Sequence, residues 1–309
     1  MNAHKPSTAK TQVQQDMEKL STHRLNRRKM LGWLGTAGAT SLVGAGYFAS
    51  QAQAQPGMGG FGGRGPGGGR AGGPGMFGQS APIITAEGPD GQCMNFTTET
   101  NGPYPADGTV RSRNGVLNAL TDSGIVRQNI LSDLDDPDQV AEGILLDLEL
   151  QLADVNNQCQ PLSGYAVYLW HCDALGRYSL YSLPDCSYLR GVQVSDNQGV
   201  VRFTTIFPGC YSGRYPHIHF EVFSSLDNAT SANHAVLISQ LALSQSSCQE
   251  VYQTAFYRDS KNNFARNGNP ATDGIFGNNG TERIPVMTLT GTGNPQQGYR
   301  MGATIGIAT

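Results

Sequence analysis

The sequence predicts an all-β domain over residues 81–309, folded as an antiparallel β-sandwich of the immunoglobulin-like kind with long loops. The clearest observation is the run 146–152, in which leucines alternate with Asp, Glu and Gln, as in a strand that buries one face. Turn-forming segments at 196–199, 208–209 and 278–280 separate further short apolar runs. No strong amphipathic helical pattern competes with these runs.

The remaining elements are predicted from the same alternation and from the turns that bound it. The further strands are expected at 164–171, 200–207, 217–223 and 235–243, with weaker ones at 284–289 and 299–307. A short helix is expected within residues 247–258. About seven short strands at such spacing indicate an antiparallel sandwich.

Residues 1–54 have the order of a signal peptide. A basic segment ends in Arg27 and Arg28, a weakly apolar stretch covers about 31–49, and an Ala-x-Ala site ends at Ala54. The adjacent arginines indicate the twin-arginine export route. We therefore expect a periplasmic or extracellular protein without a stable membrane span after cleavage. The alternatives are a basic tail before a buried helix, and an uncleaved anchor.

Residues 55–80 predict a flexible, disordered glycine-rich linker, because 13 of the 40 glycines lie between 57 and 78. A sticky low-complexity segment is the alternative. The charge is also uneven, since residues 1–54 carry 7 basic and 2 acidic residues, or +5. Subtracting +5 from the whole-chain charge of -3 leaves -8 for residues 55–309. This acidic remainder excludes nucleic acid as a partner.

Six cysteines follow the predicted signal peptide, an even number that permits disulfides in an oxidising compartment. No Cys-x-x-Cys spacing occurs, which argues against a thiolate zinc site. The pairing of the cysteines stays open at this point.

Four histidines remain after residue 54, and two of them form the motif His217-Ile218-His219 on a predicted strand. Residues two apart on a strand point the same way with Cα atoms about 6.5–7 Å apart, so both could bind one ion. A pair of surface histidines is the alternative. Glu221 extends this face and would allow a zinc or ferrous site, but its spacing instead favours a solvent-facing acid or one that supports the ligands.

Two tyrosines lie in loops beside predicted strands. Tyr211 follows the turn Pro208-Gly209, and Tyr178 follows a glycine-containing loop after Trp170. Phenolate is a hard anionic oxygen donor, so two tyrosinates and two imidazoles would suit a ferric ion. For each tyrosine alone, a packed aromatic whose hydroxyl meets a backbone group is the alternative.

Several motifs together resemble the intradiol ring-cleavage dioxygenases, the family of the protocatechuate and catechol enzymes. The motifs are TTETNGPYP at 97–105, WHCDALGRYS at 170–179, YLRGVQVSDNQG at 188–199, FTTIFPGCYSGRYPHIHF at 203–220 and ISQL at 238–241. The resemblance runs from about residue 93 to the C-terminus.

The resemblance implies an Fe(III) centre. Its metal ligands would be Tyr178 and His217, which stay bound in the equatorial plane, and Tyr211 and His219, which are axial. Tyr211 would also act as a base. Other implied roles fall to Arg214 as the active-site arginine and Gln240 as the pocket glutamine, while Tyr104 would approach the substrate. His171 and His234 are expected to be packing or structural residues.

The resemblance also implies the reaction. A catechol would be cleaved by dioxygen between its hydroxyl-bearing carbons, giving a muconate-type diacid. The loop between Tyr211 and His217 is short, so the substrate of cytoplasmic protocatechuate enzymes does not transfer, and an exported group of relatives is the better comparison. The sequence leaves room for a homo-oligomer. The alternative from another class is a non-catalytic envelope binding module with a transthyretin-like sandwich.

Overall fold

The structure, a computed structural model, describes residues 82–89, 91–112 and 115–309. The predicted signal peptide at 1–54 and linker at 55–80 lie outside these residues. The strands are β1 (Thr85–Gly88), β2 (Gly91–Met94), β3 (Asp107–Ser112), β4 (Gly115–Asn118), β5 (Leu145–Asp154), β6 (Gln160–Pro161), β7 (Ala166–Trp170), β8 (Arg190–Val194), β9 (Val200–Ile206), β10 (His217–Phe223), β11 (Leu237–Ala242), β12 (Thr290–Asn294) and β13 (Gly298–Ile307). The α-helices are α1 (Gln245–Val251), α2 (Ser260–Asn267) and α3 (Gly280–Val286). Within these ranges no helix is long and apolar enough to cross a membrane.

One sheet has the order β12-β13-β5, with β6 and β9 both paired to β5. Strand β5 pairs antiparallel with β9, where Leu148 lies opposite Phe203. Its pairing with β13 is parallel, so the expectation of an entirely antiparallel sandwich is wrong at this point. A parallel pair needs a long connection rather than a tight hairpin, and the chain between β5 and β13 supplies one, since it passes through the second sheet and helices α1 to α3.

The second sheet has the order β11-β10-β7-β8, and all of its pairings are antiparallel. Strand β10 is central, with His219 opposite Gln240 on β11 and Trp170 on β7. All seven residues of β10 are buried. This strand therefore has neighbours on both of its faces as well as on both of its edges.

The two sheets bury a common hydrophobic core, as a sandwich requires. It contains the leucines of β5 from Leu146 to Leu152, and Ile218, Phe220 and Val222 of β10. Each fully buried side chain of this size contributes about 1.5–3 kcal/mol relative to exposure. The alternation at 146–152 therefore predicts the buried face of β5 correctly.

Three local predictions need correction. The first half of the weak strand expected at 284–289 is the end of helix α3, which contains Pro285, and residues 287–289 form no strand. The helix expected at 247–258 is shorter, because α1 ends at Val251 and a 3₁₀ turn follows at Ala255–Tyr257. Helix α2 was not expected. Its mean polarity is high, and it is held by packing of Phe264 rather than by a long apolar stripe.

The structure also pairs two of the six cysteines. Cys93 and Cys159 form a disulfide that joins β2 to the segment after β5. The other four, Cys172, Cys186, Cys210 and Cys248, are free and buried.

Candidate metal centre

The two histidines of β10 point to the same side and meet at their Nε2 atoms, which are 3.2 Å apart. His217 Nδ1 lies 2.6 Å from the carbonyl oxygen of Tyr215. A carbonyl can only accept, so the proton sits on Nδ1 and the Nε2 lone pair faces the centre. The His219 ring stacks on Trp170 at 4.9 Å with an interplanar angle of 5°. Both imidazoles are therefore oriented by neighbours.

Tyr178 reaches the same point from the loop after β7. Its Oη lies 3.3 Å from His219 Nε2, and its side chain is buried. Asp173 organises the loop, since its Oδ1 accepts from the backbone amides of Leu175 and Arg177. Gly176 has φ +79°, and a Cβ there would lie only 2.9 Å from Tyr211 Cβ. The glycine thus allows the two tyrosine loops to touch.

Tyr211 completes the group from the other side. Its Oη lies 3.1 Å from His217 Nε2, and its ring centroid is 6.0 Å from that of Tyr178. The phenol oxygens of both tyrosines therefore point at the imidazoles. Ligand atoms about 2 Å from a first-row metal ion lie about 3 Å from one another. The distances between the four donors fit a shared ion.

The pKa shifts of the two tyrosines and two histidines also fit a shared metal ion. Burial raises the pKa of Tyr211 to about 12, although the Tyr178 hydroxyl and the Arg214 charge favour its phenolate. Burial also raises the pKa of Tyr178 well above its ordinary value. Burial and the nearby charges lower the pKa of His217 and His219, so both rings are neutral. Neutral imidazoles are metal ligands, and two phenols this buried ionise only beside a strong cation.

Arg214 lies at the edge of this group and is held by two side chains. Its Nη1 is 3.5 Å from His217 Nε2, and its Nη2 donates to Gln240 Oε1 at 2.7 Å. Its Nε donates to Asp273 Oδ2 at 2.9 Å. The guanidinium is thereby fixed in one orientation, with an edge toward the histidines.

Asp273 was missed in the sequence, where nothing but an Asp-Gly turn signal marks it. Its Oδ2 also accepts from the backbone amide of Tyr215, and its Oδ1 from those of Ile275 and Phe276. Burial would raise the pKa of Asp273, but these hydrogen bonds and the Arg214 charge hold it below its ordinary value. Asp273 is therefore an anion that orients the arginine.

Residues 100–106, here named the cover segment, lie over the centre. Gln240 Nε2 donates to the carbonyl oxygen of Thr100 at 3.0 Å. A Cβ on Gly102 would be 3.3 Å from His219 Cε1, which shows how closely the backbone approaches the imidazole. The Tyr104 ring lies 5.0 Å from that of Tyr178 and is 36% exposed. Tyr104 thus borders the centre from the solvent side.

Other candidates lie apart from the group. Glu221 is completely buried, so its solvent-facing placement is wrong, and its carboxyl group is close to that of Asp107. Within the described ranges, no group of three or more His, Cys, Asp or Glu could hold a metal ion, so the zinc or ferrous site with Glu221 is not supported. His171 is buried with hydrogen bonds to Cys172 O and Thr205 Oγ1, and His234 is exposed. Neither reaches the centre.

Comparisons with known proteins agree with this geometry. Residues 125–247 match a family model described as Dioxygenase, and this range contains all six predicted site residues. A catechol 1,2-dioxygenase from Pseudomonas sp. (strain EST1001) is 33% identical over 78 residues, which cover 25% of this chain and 24% of that enzyme. The chain thus spans about a quarter of the length of this curated relative.

The similarity to one solved structure covers a longer range. An intradiol ring-cleavage dioxygenase from Tetranychus urticae is similar with a TM-score of 0.51 and 25% identity, covering 70% of this chain and 95% of that one. A hydroxyquinol 1,2-dioxygenase from Pseudomonas putida DLL-E4 has a TM-score of 0.41 and 17% identity, covering 70% and 67%. Fold and matched range together define a dioxygenase domain. Residues 125–247 therefore resemble the dioxygenase family in sequence, and the described residues resemble an intradiol ring-cleavage dioxygenase in fold.

Proposed function

We propose that the protein is a non-haem ferric enzyme that cleaves a catechol ring between its two hydroxyl-bearing carbons. Dioxygen is the second substrate, and both of its atoms enter the product, a muconate-type diacid. The observation that supports this most strongly is the convergence of two phenol oxygens and two imidazole nitrogens within 3.1–3.3 Å. The geometry and the resemblance of residues 125–247 to the dioxygenase family favour this over a non-catalytic binding module, which would not need such a group.

Tyr178, Tyr211, His217 and His219 would hold the iron. When bound, a ferric ion acts as a Lewis acid that favours the ionised form of the catechol and polarises its ring toward dioxygen. Two phenolates offset two of its three charges. This donor set is harder and more anionic than a histidine–carboxylate set, which favours the ferric over the ferrous state.

The two tyrosines differ in their surroundings. Tyr178 is completely buried, whereas Tyr211 is partly exposed. Tyr211 is therefore the phenolate that can accept a proton, at its Oη, from a substrate hydroxyl group. Tyr178 would keep its position during the same step.

Arg214 would stabilise the negative charge that develops on the substrate. Its guanidinium is already fixed by Asp273 and Gln240, so little reorganisation is needed during the reaction. Gln240 links this arginine to the cover segment through the Thr100 carbonyl. The substrate would thus meet a prearranged positive charge beside the histidines.

The test is oxygen uptake by the full-length protein loaded with ferric iron. The panel comprises catechol, hydroxyquinol, protocatechuate and lignin-derived or plant catechols. We expect equimolar consumption of one of these catechols and dioxygen, a diacid product, and the red-brown colour of ferric tyrosinate in the resting protein. Stoichiometric ferric loading without oxygen uptake on any panel member would refute the activity. A colourless metal complex would refute the ligand set.

Export by the twin-arginine route is a further part of the proposal. Its support is the signal-like order of residues 1–54 and the Cys93–Cys159 disulfide, a bond typical of oxidising compartments. Fractionation of cells that express the full chain tests it. Replacement of both Arg27 and Arg28 by lysine should retain the protein in the cytoplasm.

A further inference from the structure

Arg190, the first residue of β8, is buried and uses its whole guanidinium group. The side chain is 1% exposed. Its Nε donates to Ser179 Oγ at 2.9 Å, and its Nη2 donates to the Ser179 carbonyl oxygen at 2.9 Å. Nη2 also donates to the carbonyl oxygen of Tyr104 at 2.9 Å, and Nη1 to that of Pro105 at 2.8 Å. The fifth bond, from Nη1 to Tyr168 Oη, is 3.0 Å long.

These bonds connect two irregular segments that border the candidate metal centre. Ser179 directly follows Tyr178, and Tyr104 and Pro105 belong to the cover segment. Neither segment is part of a sheet at these residues, so no strand pairing sets their separation. Yet the rings of Tyr104 and Tyr178 are only 5.0 Å apart. Two connections join the segments: the Ala106 amide donates to Tyr181 Oη at 3.0 Å, and the Arg190 guanidinium binds both segments at once.

The chemistry of the bonds requires an arginine. A guanidinium has five N–H groups in a rigid planar fork, and all five are used here. A lysine ammonium has three donors on a flexible stem and could not satisfy both segments. Burying a charge is costly unless it is fully hydrogen-bonded. The five hydrogen bonds offset this cost only while both segments keep their present positions.

We propose that Arg190 is a positioning residue of the active site, which sets the distance between Tyr178 and the cover segment. It acts through Ser179 on the phenol of Tyr178, and through the carbonyls of Tyr104 and Pro105 on the wall that faces the substrate. The part concerning iron rests on the proposed function. The link between the two segments does not, because none of its hydrogen bonds involves a donor atom of the proposed iron ligands.

Arg127 provides a matched control. Its guanidinium also donates to backbone carbonyls, those of Ser132, Ser187 and Arg190, and it is partly buried. It makes no hydrogen bond to the cover segment or to Ser179 among the described residues. Its bonds to Arg190 end on the backbone carbonyl and not on the guanidinium, so a change at Arg127 should lower stability while the five side-chain bonds of Arg190 stay in place.

The experiment compares Arg190→Gln, Arg190→Lys and Arg127→Gln in the full chain. In the metal-free proteins, amide hydrogen exchange at Tyr104, at Ala106 and at residues 178–181 reports how firmly the segments are joined, since the Ala106 amide is bonded to Tyr181 Oη and is exposed if the segments separate. In the loaded proteins, chelator competition gives the iron affinity, and the absorption band reports the Tyr178 phenolate. We expect faster exchange in these segments, iron binding about 10- to 100-fold weaker and a shifted band for Arg190→Gln. Arg127→Gln should leave all three unchanged.

Arg190→Lys should fall between Arg190→Gln and the wild type, and it replaces Arg190→Gln if that variant does not fold. A folded Arg190 variant with the exchange, affinity and band of Arg127→Gln would overturn the proposal. If the wild type itself binds no iron, the proposed function fails, while the exchange measurement still decides whether Arg190 joins the two segments.

Discussion

Strands β5 and β10 carry the same kind of pattern, apolar residues alternating with polar ones, but they have different surroundings. In β5 the leucines face the core, and the polar face is partly or fully exposed around Asp147, Glu149 and Gln151. In β10 the apolar residues face the same core, but the polar face with His217, His219 and Glu221 is buried as well. The difference lies in what covers the second face.

The consequence is chemical. Water and surface partners satisfy the polar face of β5, for example Arg202, whose Nε lies 2.9 Å from Glu149 Oε2. The polar face of β10 has no such access, so its groups must be satisfied by one another and by the loops above them. Buried polar groups with shifted pKa values mark functional sites. An alternating strand therefore becomes a candidate centre when its polar face is covered.

The largest expected effect is removal of a donor from β10. His217→Ala deletes the imidazole that contacts both Tyr211 and His219, so iron affinity should fall by more than the roughly 10- to 100-fold typical of losing a supporting residue. The red-brown absorption should vanish while the fold persists, as measured by chelator competition, visible spectra and circular dichroism. A His217→Ala protein that still binds iron and is still coloured would show that His217 of β10 is not an iron ligand.

A change on the core face of β5 should lower the stability of the fold without affecting the metal centre. Leu148→Ala leaves a cavity opposite Phe203 and should cost about 2–5 kcal/mol of unfolding free energy. Iron stoichiometry and colour should remain, because β5 contributes no donor. Urea unfolding and iron analysis check this. Loss of iron at unchanged stability would mean that the core face of β5 contributes to the metal centre and not only to stability.

Asp273→Asn tests the support of the centre from outside β10. The amide keeps the shape but loses the charge that holds Arg214, so turnover should fall about 10- to 100-fold, less than the loss of a transition-state donor itself costs. Iron binding should be retained. Steady-state oxygen uptake with parallel iron analysis measures the effect, and unaltered turnover would show that Gln240 alone suffices to orient the arginine.

The lowered pKa of Asp273 predicts that the stability of the protein depends on pH. Because the pKa of Asp273 is held below its ordinary value of 3.8, its contribution to stability is present above that value and is lost as pH falls through the lower, folded-state pKa. The stability difference between wild type and Asp273→Asn should be full at pH 7 and shrink on acidification below 3.8. Urea unfolding of both proteins across this range measures it. A constant difference would mean that the carboxylate charge is not what matters.

The smallest effect is expected on the exposed face of β5. Glu149→Ala breaks a surface ion pair with Arg202, whose partners are solvated, so stability, iron content and turnover should stay within experimental error. This variant is also the control for His217→Ala, since both remove a polar side chain from an alternating strand. A loss of activity would show that an exposed polar residue of β5 matters as much to the site as a buried polar residue of β10.

Local sequence determined a large part of this protein. The period of two in residues 146–152 predicts β5 and its buried face, and strand 217–223 was predicted with its observed bounds. The placement of two histidines two apart on that strand, with tyrosines in the flanking loops, predicts the group that the structure brings together. These features follow from backbone geometry, which is the same in every strand.

Other features were decided only by tertiary structure. The parallel pairing of β13 with β5, the Cys93–Cys159 pair, the burial of Glu221 and the contact of Asp273 with Arg214 join residues far apart in the chain. So do the five hydrogen bonds of Arg190. Such contacts depend on how loops cover a sheet and on where buried charges find partners, and local periodicity does not encode either. The positions of the strands, their buried faces and the types of donor follow from the local sequence, but the residues that support the centre are brought together only by packing between distant segments.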